Sequence, residues 1–303
     1  MSDRAPIIAL AGATGDLGGR IARQLITRGA NLRVLVRPGT DTSRTRELRE
    51  AGVEIQETDF EDAEDLTDAC RGAACVVSAL SGLEEVILGA QGRLLSAAES
   101  AEVERFIPSD FSLDFTRLRR GTNRNLDLRK TFHDRLARSP LRATSILNGM
   151  FTDLLNGEAP FVVDRIHRVI YYGSEEQKMD FTTMDDTAAY TAAAAMDPAT
   201  PRVLRIAGDV LDARGLAEAA SRARGGDYKT LRVGGVGVLS GMIGLTRLFV
   251  PGRKEVYPPW QGMQYMRNMY SGRGKLSPLD NDRYPDLKWT SVESVLREGK
   301  TKA

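Results

Sequence analysis

Short unbroken runs of apolar residues alternate with helix-like segments over the first part of the chain. Runs without polar alternation are typical of strands that are buried on both faces of a parallel sheet. The segments between them carry apolar residues at helical spacing, as Ile21, Leu25 and Ile26 do in the first. This pattern predicts an α/β fold with a doubly wound parallel sheet. The predicted strands cover residues 7–11, 32–36, 53–55, 74–80 and 103–107.

The same patterns predict further elements along the chain. Asp185 or Asp186 is expected to cap an alanine-rich helix at residues 187–196, because a carboxylate can accept the free amides of a helix N-terminus. The other predicted elements are helices at residues 83–99 and 125–138 and a sixth strand at residues 144–147.

Glycine stands at positions 12, 15 and 18, between the first strand and the first helix. In this context one glycine permits a tight turn, one lets the backbone approach a diphosphate, and one lets the helix pack on the strand. The helix then points its free amides and the positive end of its dipole toward the phosphates. A purely structural turn is the alternative, but the strand-turn-helix context favours a dinucleotide site.

Arg37 ends the second strand, where the adenosine ribose of a coenzyme would bind. An arginine at this position favours the 2′-phosphate of NADP, because a guanidinium group makes forked contacts with phosphate. A solvated basic loop is the alternative. The carboxyl ends of the third and fourth strands are also expected to contact the coenzyme, since ligands of open α/β sheets bind at that edge. The expected coenzyme contacts after the first four strands together are Gly12, Ala13, Thr14, Gly15, Asp16, Leu17, Gly18, Arg37, Thr40, Asp59, Phe60, Ala79, Leu80 and Ser81.

Composition narrows the class of protein. The 303 residues carry a net charge of +1, so the overall charge does not suggest direct binding of nucleic acid. Cys70 and Cys75 are too few for a disulfide framework. The apolar stretch at residues 233–250 contains five glycines and Arg247, which argues against a membrane span. We expect a cytoplasmic protein with a small-molecule partner, without metal or membrane association, and a homodimer is left open.

Several motifs together resemble the NmrA-like group of atypical short-chain dehydrogenases/reductases, and in particular its isoflavone reductase-like branch. These motifs are the glycine turn, Arg37, the Phe-Ile-Pro-Ser-Asp-Phe run at residues 106–111, the Asn-Gly-Met-Phe run at residues 148–151 and the stretch at residues 263–284. The resemblance implies a Rossmann-like NAD(P)-binding domain at residues 1–155 and a smaller C-terminal α/β substrate-binding region at residues 156–303, partly interleaved with the sheet. It also implies that the nicotinamide lies near Pro108, Ser109, Asp110 and Phe111.

The resemblance further implies a functional lysine on the helix after the Pro-Ser run. Counted from the expected apolar stripe of Leu128, Phe132 and Leu136, that position falls on Arg129, and Lys130 lies nearly opposite the stripe. Either a shift of one residue brings Lys130 into the site, or Arg129 holds the position. A desolvated lysine can transfer a proton, whereas an arginine stays charged and would stabilise an anion.

Two of these helix residues have simpler interpretations as well. His133, one turn further along, could relay a proton because histidine titrates near neutrality. The alternatives are that His133 is a packed or surface histidine and that Lys130 is a solvated helix charge.

The C-terminal region contains a dense set of aromatic and methionine side chains, which suits an adaptable pocket for a flat ring. A helix that packs its apolar stripe on the core is the alternative, and both roles can hold together. The expected substrate contacts are Asn148, Phe151, Trp260, Met263 and Tyr270.

The sequence as a whole predicts an NADPH-dependent oxidoreductase that acts on an aromatic or conjugated small molecule, such as an enone, a quinone methide or a benzylic ether. The alternative is an NmrA-like regulator that binds NAD(P) as a redox sensor without turnover. The absence of a lysine at the expected helix position would suit a sensor, whereas the dense aromatic set favours an enzyme.

Overall fold

The computed structural model describes residues 6–301, with side chains described as far as residue 299. The chain divides into two compact units, each built from three segments. The first unit comprises the residues up to 110, residues 128–146 and residues 187–204, and the second comprises residues 111–127, 147–186 and those from 205 onward. Each unit therefore collects distant parts of the chain, and a substrate-binding region beginning at residue 156 stays a prediction.

A parallel sheet of six strands forms the centre of the first unit. The strands are β1 (Ile7–Ala11), β2 (Asn31–Val36), β3 (Glu54–Glu57), β4 (Ala73–Ser78), β5 (Arg105–Ile107) and β6 (Arg142–Ala143). Their order is β3-β2-β1-β4-β5-β6, so the chain moves outward from β1 in one direction and then in the other. This reversal between β1 and β4 is the topology of a doubly wound, Rossmann-like sheet, and the predicted fold class is confirmed.

Helices connect the strands of this sheet. They are α1 (Asp16–Thr27), α2 (Arg46–Glu50), α3 (Ala63–Cys70), α4 (Gln91–Ser100) and α5 (Arg124–Leu136). The ends of α3 show why the sequence forms a helix there. The Asp62 carboxylate accepts the amides of Glu64 and Asp65 at its start, and Gly72 follows its end with a φ of +75°.

The interior of the first unit fixes α4 and α5 against the sheet. Ala9, Val76 and Phe106 from the strands pack in one buried cluster with Leu94 from α4 and Phe132 from α5. The rings of Phe106 and Phe132 lie 6.3 Å apart between centroids. Each large apolar side chain buried in this way contributes about 1.5–3 kcal/mol, so the two helices are held firmly beside the end of β5.

The remaining strands are short. They are β7 (Ser145–Leu147), β8 (Met150–Phe151), β9 (Val162–Val163), β10 (Arg168–Tyr172), β11 (Met179–Thr182), β12 (Val203–Arg205), β13 (Asp209–Leu211) and β14 (Lys229–Gly234). In the second unit β10 lies between β14 and β9, and β11 lies between β13 and β8. The remaining helices are α6 (Met184–Met196), α7 (Ala213–Arg224), α8 (Val236–Phe249), α9 (Pro259–Tyr270) and α10 (Val292–Thr301). Across the described residues, no helix combines the length and the apolar character needed to cross a membrane.

The strand predicted at residues 144–147 is present as β7, Ser145–Leu147, but it is not the sixth strand of the sheet, because the hydrogen-bond partner changes after Thr144. The Thr144 amide donates to the Phe106 carbonyl at 3.0 Å, and its hydroxyl donates to the Pro201 carbonyl at 2.9 Å. The next amide, that of Ser145, donates to the Arg202 carbonyl at 2.9 Å. The sixth strand of the sheet is therefore β6, whereas β7 pairs with β12.

Two helix predictions are also wrong in detail. The segment Glu85–Ala90 forms a wider π-helical stretch before α4, where the sequence pattern predicts one continuous α-helix. Neither Asp185 nor Asp186 caps α6, because the helix already begins at Met184. The hydroxyl of Thr183 accepts the Asp186 amide at 3.0 Å, while the Asp186 carboxylate accepts hydrogen bonds from Thr290.

Candidate active site

The glycine turn, residues 12–18, joins β1 to α1 through contacts that leave no room for a side chain at Gly12 or Gly18. Gly12 has a φ of +91°, and a Cβ atom there would lie 2.7 Å from the Ala79 carbonyl oxygen. A Cβ atom at Gly18 would lie 2.1 Å from the Gly12 carbonyl oxygen. Only glycine at these two positions allows α1 to approach β1 so closely.

The first turn of α1 presents its backbone amides at the carboxyl end of β1. Gly15 occupies the N-cap position and has no side chain with which to satisfy those amides. The neighbouring Asp16 carboxylate accepts a hydrogen bond from Arg20 Nε at 2.7 Å instead. Because free amides and the helix dipole both favour a negative group, this turn fits the diphosphate of a dinucleotide coenzyme.

Arg37 follows β2 in an exposed turn. The amide and the hydroxyl of Thr40 both donate to the Arg37 carbonyl, at 3.0 and 2.6 Å, and Gly39 takes a φ of +73°. Since β1 and β2 are parallel neighbours, Arg37 and the glycine turn lie at the same edge of the sheet. This placement agrees with a 2′-phosphate site, although contact with a coenzyme stays a prediction.

The ends of β3 and β4 lie at the same edge. The Asp59 amide donates to the Asp65 carboxylate at 2.7 Å, which fixes the loop after β3. At the end of β4, Ala79 lies against the glycine turn. The hydroxyl of Ser78 is buried and has no hydrogen-bond partner among the residues that the structure describes. The remaining predicted coenzyme contacts are Phe60, Leu80 and Ser81 in these loops, and Ala13, Thr14 and Leu17 in the glycine turn.

β5 leads into a buried turn formed by Pro108, Ser109 and Asp110, which we name the 108–110 turn. The Asp110 amide donates to the Pro108 carbonyl at 2.8 Å. The Ser109 amide donates to Oε1 of Gln91, the first residue of α4, at 2.9 Å. Phe111, the next predicted contact, is buried and belongs to the second unit.

Asp110 is fully buried at the start of a chain of polar side chains within the first unit. Its Oδ2 lies 2.5 Å from Nε2 of His133, and the Ser145 hydroxyl lies 3.0 Å from the same nitrogen. Arg202 Nη1 donates to the Ser145 hydroxyl at 2.7 Å. Burial alone would raise the pKa of Asp110, but His133, Ser145 and the charge of Arg129 together hold that pKa below its ordinary value. The carboxylate is therefore ionised at neutral pH and joins β5 to α5 and β7.

Arg129 and Lys130 occupy different environments on α5. Arg129 is only 7% exposed and its charge acts on the Asp110 carboxylate, whereas Lys130 is half-buried. Leu128, a member of the predicted stripe, is also only half-buried. The residues of α5 that are buried at helical spacing are Leu126, Arg129, Phe132 and Leu136. Arg129 is thus the cation that this helix carries into the interior of the first unit.

Asn148 is fully buried in the second unit, between β7 and β8. Its carbonyl accepts the Thr182 hydroxyl at 2.7 Å, and its amide donates to the Ser112 carbonyl at 3.0 Å. Within the described residues, neither polar atom of its side chain has a hydrogen-bond partner. A buried polar group left in this way costs about 1–3 kcal/mol, which suits a residue that binds a ligand group. Phe151, two residues beyond Gly149, is half-buried.

Trp260, at the start of α9, is held by packing within the second unit. The guanidinium groups of Arg124 and Arg247 lie over its ring, at 4.7 and 4.9 Å from the ring centroid. Its indole N–H donates to the Pro251 carbonyl at 3.0 Å. These contacts explain its burial, and a role in substrate binding stays a prediction.

Tyr270, at the end of α9, belongs to the core of the second unit. Its hydroxyl donates to the Ile170 carbonyl at 2.8 Å, and burial raises its pKa. Its ring lies 5.7 Å from that of Phe161 and 5.9 Å from that of Tyr172. Met263 is partly buried against the same core. These contacts therefore support the alternative in which α9 packs its apolar side chains on the core. Contact of Met263 and Tyr270 with a substrate stays a prediction.

Tyr284 and Lys288 have the four-residue spacing of the Tyr–Lys pair found in the usual short-chain dehydrogenases. That spacing brings both side chains onto one face only in an α-helix. Pro285 follows the tyrosine, and residues 285–288 form a turn and an irregular segment. The two residues therefore do not form a helical Tyr–Lys pair.

The predicted site omits three residues that the structure places around the 108–110 turn: Gln91, Ser145 and Arg202. Gln91 carries a detectable signal, since it is a glutamine in a buried helical stripe with Ile87 and Leu94. No sequence pattern identifies Ser145 and Arg202 as neighbours, because they come into contact only through the pairing of β7 with β12.

The chain is similar to pinoresinol reductase 2 of Arabidopsis thaliana, with 28% identity over 207 residues that make up 64% of this chain and 65% of that protein. The match thus spans just under two thirds of that relative. Similarity extends over nearly the full length of bifunctional pinoresinol-lariciresinol reductase 2 of Thuja plicata, with 24% identity over 307 residues, 95% of this chain and 97% of that protein.

Solved structures share the fold. The structure of AtPrR2 with NADP+ and (+)pinoresinol has a TM-score of 0.81 at 22% identity, and the match covers 99% of this chain and 100% of that one. The binary complex of leucoanthocyanidin reductase with NADPH from Vitis vinifera has a TM-score of 0.80 at 19% identity, over 97% and 99% of the two chains. At these identities the likeness shows the fold alone.

The family model described as NmrA-like matches residues 5–254, which is most of the chain. The matched range contains the glycine turn, the 108–110 turn, α5 and the motif at residues 148–151. The resemblance predicted from these motifs is confirmed: this chain belongs to the NmrA-like family.

Proposed function

We propose that this protein is an NADPH-dependent reductase that transfers a hydride to an aromatic or conjugated small molecule, such as an enone, a quinone methide or a benzylic ether. The observation that carries the proposal is the glycine turn, where backbone contacts exclude side chains at Gly12 and Gly18 and helix amides are left for a diphosphate. The names of the similar proteins support it, since they are pinoresinol and pinoresinol-lariciresinol reductases.

Bound NADPH would supply the hydride. The chain's own residues would bind the coenzyme, orient its nicotinamide toward the substrate and shield both from water. The amides of the glycine turn would bind the diphosphate, and the buried Ser78 hydroxyl offers a further polar contact at that edge. Arg37 and Thr40 would bind the 2′-phosphate. The 108–110 turn would hold the nicotinamide end of the site. The similar solved structures contain NADP+ or NADPH, which supports this choice of coenzyme.

The substrate class rests on the second unit and on the relatives. We propose that the buried Asn148 amide hydrogen-bonds a polar group of the substrate and that Phe151 contacts its ring. The AtPrR2 structure holds (+)pinoresinol, an observation that favours an aromatic substrate for this chain as well. Trp260, Met263 and Tyr270 would contribute through the core that surrounds them.

The function is tested by NADPH oxidation, followed through the loss of NADPH absorbance, with a library of aromatic enones, quinone methides and benzylic ethers. Substrate-dependent oxidation supports the reductase. Tight coenzyme binding without turnover of any compound would favour the alternative, a redox-sensing NAD(P)-binding regulator, which the arginine at the helix position of the expected lysine would suit.

An Arg37→Asp substitution is expected to lower the preference for NADPH over NADH by roughly tenfold or more, because it replaces a forked phosphate-binding cation with a repelling anion. The preference is measured as the ratio of the two dissociation constants from calorimetric titration. Arg28→Asp is the matched control, since Arg28 is an exposed arginine at the far end of α1. An unchanged ratio in Arg37→Asp would remove the 2′-phosphate assignment.

An Arg129→Ala substitution is expected to lower kcat roughly tenfold to a hundredfold, because a buried cation that stabilises a developing anion is lost. Lys130→Ala, the matched neighbour, should keep kcat within about twofold of the wild type. The Arg129→Lys variant keeps the positive charge but loses the planar guanidinium group, so it shows which of the two properties matters for kcat. Stopped-flow measurement of NADPH oxidation, with urea unfolding of each variant, gives the comparison. A large loss for Lys130→Ala alone would assign the role to Lys130 instead.

A homodimer and a cytoplasmic location also remain predictions. α8 exposes Leu245, Leu248 and Phe249 by 61, 74 and 73%, and a second copy of the chain would bury this apolar surface. Light scattering on the purified protein decides between monomer and dimer.

A further inference from the structure

Gln91 holds the 108–110 turn from α4. Its side chain is fully buried, and its Oε1 accepts the Ser109 amide at 2.9 Å. Its Nε2 has no hydrogen-bond partner among the described residues. The side chain therefore serves the turn as an acceptor alone, although a buried donor without a partner is unfavourable.

The π-helical stretch Glu85–Ala90 ends immediately before Gln91. A π-helical turn contains more residues than an α-helical one, so it changes the angle at which the following side chains leave the helix. Such interruptions occur frequently at functional sites. The stretch therefore sets the direction from which Gln91 reaches the Ser109 amide.

The same turn is held from α5 by His133. Its imidazole Nε2 lies 2.5 Å from the Asp110 carboxylate, so this nitrogen is already occupied within the first unit. Ser145 and Arg202 extend the contact to β7 and to the segment before β12. Two successive residues of the turn, Ser109 and Asp110, are thus fixed by two different helices.

We propose that Gln91 is a positioning residue for hydride transfer, which acts with His133 to fix the 108–110 turn beside the nicotinamide. This inference rests on the proposed reductase function and adds residues that the function itself does not require. Hydride transfer needs the reacting atoms at close range and in the correct orientation, and a misplacement of about 1 Å can cost about a hundredfold in rate. His133, with its Nε2 bound to Asp110, takes part in this proposal as an anchor of the turn.

The structure offers a matched pair of substitutions at Gln91. Gln91→Met removes the acceptor at nearly constant volume. Gln91→Glu keeps an accepting oxygen at the same place. Replacing Nε2 by oxygen breaks no hydrogen bond, because Nε2 has no partner in the described structure. Burial favours the neutral carboxyl group, whose carbonyl oxygen still accepts the Ser109 amide. Gln91→Asn, shorter by one methylene group, is a second variant without the acceptor should Gln91→Met fail to fold.

We expect Gln91→Met to lower kcat by about tenfold or more while the dissociation constant of NADPH changes by less than about twofold. Gln91→Glu should restore kcat to within about threefold of the wild type. The second readout needs no turnover: the fluorescence lifetime of bound NADPH should change in Gln91→Met and return in Gln91→Glu, because the nicotinamide is held differently.

Four results separate this inference from the proposed function. Equal kcat in Gln91→Met and the wild type would overturn the positioning role, as would a Gln91→Glu variant as slow as Gln91→Met. If the wild type turns over no substrate, the reductase function fails, and the fluorescence lifetimes alone decide whether Gln91 positions the coenzyme. Identical lifetimes in all variants would then reject that role.

Discussion

A Gly18→Ala substitution is expected to destabilise the protein by about 2 kcal/mol or more and to weaken NADPH binding by roughly tenfold or more. The added Cβ atom would lie 2.1 Å from the carbonyl oxygen of Gly12, 2.7 Å from its carbonyl carbon and 3.1 Å from Cα of Ala13. All three are backbone atoms, which cannot rotate away as the end of a flexible side chain can. α1 would therefore move off β1, and its first amides would leave the position that suits a diphosphate.

Two control variants separate packing from coenzyme binding. A Cβ atom at Gly15 would meet the Gly12 carbonyl oxygen at 3.4 Å, an ordinary contact, so Gly15→Ala should fold normally. It should still weaken NADPH binding, because its methyl group stands where the diphosphate approaches the backbone. Gly262→Ala, in α9, meets no atom within 4 Å and should stabilise the protein by about 0.5–1 kcal/mol without affecting NADPH.

The measurements are urea unfolding for stability and isothermal titration calorimetry for NADPH. Wild-type affinity in Gly18→Ala and Gly15→Ala would show that the turn does not bind the diphosphate. Normal stability in Gly18→Ala would show that α1 tolerates more space beside β1 than the backbone contacts indicate.

The sheet of the first unit was predictable because its central strands are buried on both faces. That burial requires unbroken apolar runs, as in β1 and β4, and such runs are visible in the sequence. The partner change at Thr144 was not predictable, since β6 and β7 are too short to carry a periodic signal. The π-helical stretch before α4 was hidden for a related reason: its residues are ordinary helix formers, and tertiary packing decides the width of the turn.

The parts of the candidate site that depend on backbone geometry and strand order were predictable from the sequence. Glycine spacing identifies the turn after β1, and Arg37 follows from its place at the end of β2, because parallel strands share an edge. The surroundings of Asp110 were not predictable in the same way. Arg202 lies 57 residues from its partner Ser145, and only the fold brings the two together. For the same reason Trp260 and Tyr270 are identifiable in sequence as aromatic residues, but not as packing residues of the second unit.

An Asp110→Ala substitution is expected to destabilise the protein by about 3–5 kcal/mol near neutral pH, the usual cost of removing one partner from a buried charged pair. The carboxylate is fully buried and contacts His133 and Ser145, so its removal deprives both side chains of this partner. Asp110→Asn should cost less, because the amide oxygen keeps the shape and one acceptor. Urea unfolding at neutral pH measures both effects, and a loss below about 1 kcal/mol in Asp110→Ala would show that the network does not anchor the 108–110 turn.

The difference in unfolding free energy between the wild type and Asp110→Asn depends on pH in a way that shows whether Asp110 is ionised or neutral in the folded protein. The pKa of Asp110 in the folded protein lies below its ordinary value of 3.8, because His133, Ser145 and Arg129 outweigh the effect of burial. The ionised carboxylate therefore stabilises the fold at every pH above the unfolded-state pKa, and this contribution is lost as the pH falls through the lower folded-state pKa. The carboxylate's own contribution to the stability gap between the wild type and Asp110→Asn should therefore be lost only in strong acid. A gap that widens as the pH falls would require a raised pKa, and with it a protonated Asp110 that could not serve as the charged acceptor of His133.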